Sequence, residues 1–434
     1  MLAQMAGRPH VSFGHSGDQG CHWRGYRERV GSGFRIEGAV FMSGPLASLK
    51  VLDFSTLLPG PFATLMLADM GAEVLRVESP TRPDMVRLLP PSEDGVSAVH
   101  GYINRSKRSI AVDLKKPEGK EIIRRLVAEY DIIVEQFRPG VMDRLGVGYE
   151  DLKAINPGLI YCSITGYGQD GPYRDRAGHD LNYLSIAGMT AYNGRKASGP
   201  APMAFQVADV AGGSCHAVMG LLAAVIHRQN TGEGQQLDIS MTDAAFSLHG
   251  LAAPPALVGG QDPDLETTQL NGGGFYDCYR TRDGRFMSVA GLEPQFFTQF
   301  CQAIGKPELT SKGMTLDPSV VAEVKAEIAE VIGGQDYDHW CRVFADLDCC
   351  VEPVLSFSEA TEHPQLKARD MVVEVPRHDG GKQRQVASPF KFSATPVGYR
   401  FSGARLGQHS DEVLADHGFS AEDIQAFKDS GAVG

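Results

Sequence analysis

Positive charge is in short supply in this 434-residue chain: 41 Lys and Arg stand against 53 Asp and Glu, for a formal charge of -12. Binding nucleic acid through bulk charge needs a basic face, so nucleic acid is not an expected partner. An anionic ligand has to be met by a local cluster of cations instead. Cysteine is sparse as well. Its eight copies are scattered with no C-x-x-C pair, which excludes the zinc and thioredoxin-like motifs built on that spacing. Inert thiols in a reducing compartment are the simpler expectation. The most apolar segment, Ala217–Ile226, is about half of what a membrane span requires, and the start of the chain carries no signal-peptide pattern. A cytoplasmic protein with no membrane partner is expected. Also missing are G-x-G-x-x-G after the first strand, G-x-x-x-x-G-K-[ST] and G-x-S-x-G. Nothing therefore points to a dinucleotide fingerprint, a P-loop or a nucleophile elbow.

What is present reads as α/β. Residues 1–42 are rich in Gly, Arg and His, show no period, and are expected to be a disordered leader or a mis-assigned start. From Lys50 regular patterning begins. Val51–Phe54 reads as a strand broken by Pro59-Gly60-Pro61, Phe62–Met70 as a helix closed by Gly71, and Glu73–Val77 as a second strand. Such a strand–helix–strand unit implies a parallel sheet. Further strands are expected at Ile110–Leu114, Asp131–Val134 and Leu159–Ser163, with a helix opened by Pro117. Beyond a Pro/Gly-rich stretch at 254–264, a hairpin turning at Arg282-Asp283-Gly284 and helices near 294–304, 318–332 and 338–346 indicate a smaller α+β domain. The expected organisation is a large α/β domain at 43–240, a linker helix and loop at 241–270, a small domain at 271–375, and a C-terminal segment at 376–434 returning to the large domain.

The stretch PLASLKVLDFSTLLPGPFATLMLADMGAEVLRVESP, followed by NRSKRSIAVDLKKPEG, EQFRPGVMDRLG, SITGYGQDGPYRDRAGHDLNYLSIAG and the terminal GQHSDEVLADHGFS, resembles the family III coenzyme A transferases. That group also contains the 2-methylacyl-CoA racemases, and AGHDLNY, QVADVAGGS and GLEPQFF are similar to the racemase branch. The resemblance runs from about 43 to the end of the chain. It implies a Rossmann-like large domain in an interlocked homodimer, an acyl-CoA substrate in fatty acid metabolism, and no metal or redox cofactor. It implies His179 and Asp209 as an acid/base pair, with Asp180 and Glu293 in support. Coenzyme A is a polyanion, so its candidate contacts are Arg76, Arg105, Lys107, Arg108, Arg138 and Arg144, of which the resemblance favours the last two. Racemases commonly carry another Arg three residues after the Arg76 position, where this chain has Ser79.

The chemistry suits those residue types. Inverting a carbon α to a thioester requires one group to remove a proton and another to deliver one on the opposite face. Asp209 precedes a long apolar helix, where an N-cap position would favour its anion. Gly212 and Gly213 would leave the first turn bare, with backbone N–H groups open to an enolate oxygen. Taken singly these residues have plainer explanations: an Asp before a helix is usually a cap, and Glu293 before Pro294 reads as an ordinary helix start. Two other functions compete. A CoA transferase would use Asp209 as a nucleophile forming a mixed anhydride, and Gly272-Gly273-Gly274 lies closer to the transferase pattern. A CoA-binding protein without catalysis is the third.

Overall fold

The computed structural model describes residues 44–434 apart from 314 and 316; the expected leader lies outside the described residues. Six strands form one parallel sheet: β1 Lys50–Asp53, β2 Glu73–Glu78, β3 Lys107–Ala111, β4 Ile132–Glu135, β5 Ile160–Thr165 and β6 Gln236–Ser240. Their order across the sheet is β6-β5-β4-β1-β2-β3. The chain winds outward from β1 on one side, then crosses back and winds outward on the other. Val51 of β1 is in register with Val74 of β2 on one flank and Ile132 of β4 on the other. The reversal between β1 and β4 opens a crevice at the carboxyl ends of those strands, where doubly wound sheets bind ligands.

Helix α1, Pro59–Asp69, starts at the first proline rather than at Phe62. Proline lacks only an N–H that a first turn leaves unused, so Pro-Gly-Pro opens the helix instead of breaking the chain. The first helical bond runs from Phe62 N–H to Leu58 C=O at 2.9 Å. After α1 the backbone turns at Gly71, whose φ of +102° is one a side chain would resist. Strand β3 lies three residues earlier than its apolar pattern suggests, because Lys107 and Ser109 are buried among internal partners. Strand β6, polar and alternating, has no apolar run to announce it.

Alternating sheet residues feed two cores, as a sheet covered on both faces requires. One face packs Val51, Val74 and Ile164 against α1, against α3 (Asp180–Ile186 in chain order after α2, Pro117–Val127), and against the apolar helix α4, Ala208–Thr231, and α5, Met241–Ser247. The other packs Leu52, Leu75 and Ile133 against α2. A third core belongs to the antiparallel strands β7 Asp277–Arg280, β8 Phe286–Val289 and β9 Val351–Pro353. Over them lie α6 Pro294–Ala303, α7 Pro318–Gly333 and α8 Tyr337–Phe344. There Phe275 stacks on Phe297 at 4.1 Å. A hairpin of β10 Val372–Pro376 and β11 Lys382–Val386 straddles the boundary expected at 375–376. The chain then returns to the large sheet. Helices α9, Ser410–Asp416, and α10, Ala421–Asp429, add Val413, Leu414 and Ile424 to the second core, and Gly434 N–H bonds Ala111 C=O at 3.1 Å.

Helix α4 is longer than the apolar run read from the sequence. Its 24 residues would be enough to cross a bilayer by length and composition, but Ala217, Leu221 and Ala224 are committed to the core of the sheet.

Candidate active site

The crevice predicted by the strand order is a cleft of about 470 Å³. Its walls come from the segments that leave β1 (Thr56, Leu57, Pro59), β4 (Gln136 to Pro139) and β5 (Ile164 to Tyr167), from Arg174 to His179 ahead of α3, and from Asp209 and Met241. His179 and Asp209 thus face one space from different elements.

Asp209 is not an N-cap. Val207 caps α4, and Asp209 is the second residue of an opening turn, Ala208–Cys215, wound as a π-helix. Such wide turns recur at functional sites. The Asp180 carboxylate sits behind this helix start. It accepts the N–H of Asp209 at 3.0 Å and that of Ala208. Asp180 therefore does the capping, and it does not line the cleft. Two consequences overturn expectations. The first amides of α4 are occupied and are not open to an enolate. The Asp209 carboxyl, desolvated by burial and facing the Asp180 charge, is pushed up to about 7 instead of being held as the anion.

His179 caps α3 and is solvent-exposed. Its backbone N–H donates to Asn182 Oδ1 at 3.1 Å. Tyr183 sets the segment behind it: its hydroxyl donates to Gly178 C=O, and its ring packs edge-on against Tyr167 at 5.2 Å. A Cβ on Gly166 would sit 2.4 Å from the Tyr183 ring, and one on Gly178 2.7 Å. Only glycines let tyrosine and the His179 loop close together.

Glu293 is elsewhere. It caps α6 on the small domain, its carbonyl accepting the N–H groups of Phe296 and Phe297 at 3.0 and 3.1 Å, and it is exposed and outside the cleft of its own chain.

The six candidate cations divide sharply. Arg76 is 1% exposed and holds Glu78, Asp84 and Asn104. Arg105, also buried, grips Asp69 through two bonds of 2.8 and 2.6 Å. Lys107 lies beneath α1 on Asp53, Thr64 and Pro61 C=O, and burial lowers its ammonium to about 8. Arg108 faces Glu73, Glu412 and Asp416 on the other side of the sheet. These four are engaged by carboxylates of the same chain, and none of them lines the cleft. Arg138 lines the cleft, and Arg144 stands beside it at Gly140. The sequence reading passed over Arg174 and Arg176, which also line the cleft. Their signal was available in Tyr-Arg-Asp-Arg, two cations flanking one acid in a turn-rich stretch before His179. Arg176 lies over the Tyr173 ring at 4.3 Å, and among the described residues the one carboxylate paired with Arg174 is Asp175 at 3.9 Å. The rim is cationic in an acidic protein.

Residues 46–410 match CoA-transferase family III, and the chain belongs to that family. It is 34% identical to human alpha-methylacyl-CoA racemase over 382 residues, covering 87% of this chain and 95% of the relative. Succinate–glutarate CoA-transferase of Agrobacterium fabrum is 33% identical over 394 residues, covering 86% and 95%. Among solved structures, a CAIB/BAIF family protein from Brucella suis superposes with a TM-score of 0.76 at 30% identity, covering 86% of this chain and all of that one. The family is enzymatic, and the same scaffold serves both racemases and CoA transferases.

Proposed function

We propose that the protein is an acyl-CoA racemase or epimerase that inverts the α-carbon of a 2-methyl-branched acyl-CoA. The observation that carries this reading is the pairing in one cleft of His179 with an Asp209 whose carboxyl titrates near 7. A group balanced at the working pH can both take and return a proton, whereas a nucleophilic carboxylate is better served by staying ionised. One base removes the α-proton and the electron pair moves to the thioester oxygen as an enolate. The conjugate acid of the other then protonates the opposite face, so each turnover leaves the two groups with exchanged protonation. Arg138, Arg174 and Arg176 would take the CoA phosphates, since guanidinium forks match phosphate oxygens. Coenzyme A enters as part of the substrate, and the reading needs no metal or redox group.

A homodimer belongs to the same proposal. Apolar side chains on α4, on α5 and after α5 stand open in the single chain, among them Met219, Ile226, Phe246, Leu251, Leu257 and Val258. A second copy would cover them and could bring Glu293 of one chain to the cleft of the other.

CoA transfer through an Asp209 mixed anhydride is the second reading, and similarity to the succinate–glutarate enzyme supports it. The glycine tract speaks less for it than its composition does. A Cβ on Gly273 would lie 2.6 Å from Thr268 C=O, and Lys325 holds Gly272 C=O at 2.6 Å. Gly273 thus serves close packing, while a Cβ on Gly274 would meet nothing nearer than 3.8 Å.

One enantiomer of a 2-methylacyl-CoA incubated in deuterated water separates the readings. Deuterium at the α-carbon with loss of chirality, abolished in His179→Ala and Asp209→Ala and indifferent to added acids, is the expected result. CoA appearing on an added acid with the α-proton retained, lost only in the Asp209 variant, would replace racemisation with transfer. Binding without either reaction would leave a CoA-binding protein.

A further inference from the structure

Leu57 occupies an unusual place in the cleft wall. Its φ is +61°, a left-handed conformation that the Cβ of a leucine resists and glycine adopts freely. The loop that carries it is pinned in three places. Ser55 N–H bonds the Asp53 carboxylate at 3.0 Å where the loop leaves β1. Leu57 N–H itself bonds Asp84 Oδ2 at 3.0 Å. At the far end Ser214 Oγ lies 2.6 Å from Pro59 C=O and 3.2 Å from Asp209 C=O, so the loop is tied to the helix turn that carries Asp209. The middle clamp is itself anchored. Asp84 and Arg76 are both buried and paired, and Arg76 is held in turn by Asn104 at 2.8 Å and Glu78 at 3.0 Å. Asp84 Oδ2 accepts from both Arg76 and the leucine amide, and Asp84 Oδ1 takes the N–H of Val86, so a buried ionic cluster over-determines that strained residue, the condition under which strain persists at functional sites.

We propose that Leu57 is a specificity-determining wall of the acyl end of the cleft, with Asp84 and Arg76 as the positioning residues that hold it there. This rests on the acyl-CoA reading above. The arginines Arg138, Arg174 and Arg176 take the charged part of the ligand, while Leu57 lines the same cleft two residues ahead of Pro59, which Ser214 ties to the turn carrying Asp209 and the carbon to be inverted. A leucine there offers shape and no polar group, so it would discriminate among acyl chains and leave the CoA moiety alone.

The test uses Leu57→Ala, Leu57→Gly, Leu57→Met and Asp84→Asn in the full-length protein. At an ordinary position glycine is less stable than alanine; at a left-handed position the order reverses. L57G is therefore expected to unfold about 2 °C above L57A. Both should keep the affinity of wild type for free CoA in calorimetry and lose about tenfold in kcat/KM for α-proton exchange, with L57M retaining most of it. D84N should lower kcat with CoA affinity unchanged. An L57A that unfolds above L57G removes the strain, and unchanged exchange kinetics in both truncations remove the wall; either overturns the proposal. If wild type exchanges no α-proton, the racemase reading fails by itself, and the ratio of acyl-CoA to CoA affinity decides. A fall in that ratio in L57A supports the proposal, and an unchanged ratio overturns it.

Discussion

At Asp209 burial and a neighbouring carboxylate act in the same direction, and the result is a group that titrates near the pH of the cell. The sign of its effect on stability follows. A carboxyl raised to about 7 in the folded chain binds protons better there than in the unfolded chain, where it titrates near 4. Its stabilisation is complete at lower pH and is lost as pH rises through 7. Asp209→Asn cannot ionise, so it should unfold with wild type below about pH 4 and be more stable at pH 8 by roughly 2 kcal/mol, allowing for screening at a cleft open to water. Thermal unfolding at the two pH values checks this, and equal melting at pH 8 would mean that Asp209 ionises as an ordinary carboxyl. The sequence showed that Asp209 stands where a long apolar helix begins. It did not show that Asp180 would take the amides that an N-cap Asp209 was expected to use, because that contact joins positions 29 apart.

Between elements, four of the six cations expected to meet CoA hold the sheet to its surroundings. Arg105 ties β3 to the end of α1 through Asp69, and reaches Val386 C=O of β11 at 2.7 Å. Arg105→Ala leaves a buried carboxylate without a partner and should cost about 3–5 kcal/mol. Its effect on CoA affinity should be no larger than that instability explains. Arg176→Ala should do the reverse, unfolding with wild type and weakening CoA binding by about tenfold. Denaturant unfolding paired with CoA titration reads both. A stable R105A with a selective loss of CoA affinity would return Arg105 to the binding site. Charge alone cannot separate these arginines in the sequence. What separates them is whether a carboxylate distant along the chain folds against them.

For the molecule as a whole, apolar side chains left open on α4 and in the segment after α5 are the feature that one chain does not resolve by its own folding. Leu251, Leu257 and Val258 are 77%, 78% and 91% exposed. Surfaces of this kind mark association sites. Sedimentation velocity at micromolar protein is expected to show a dimer that persists on dilution, and Leu257→Lys with Val258→Lys should weaken it. A monomer at all concentrations would require another cover for this face, and would leave Glu293 outside every active site.

Much of this protein could be read from its sequence. The strand–helix–strand period, Pro117 at a helix start, the turn at Arg282-Asp283-Gly284 and the amphipathic helices of the small domain are local patterns, set by side-chain spacing and backbone preference. The family and the candidacy of His179 and Asp209 came from motifs of adjacent residues. Tertiary structure alone decided the strand order that opens the cleft between β1 and β4, the elevation of the Asp209 carboxyl, the burial of Arg76, Arg105 and Lys107, and the left-handed backbone of Leu57. Each depends on which groups distant along the chain come to lie against a residue or a strand. Desolvation and ion pairing are properties of the assembled interior, and no spacing along the chain encodes them.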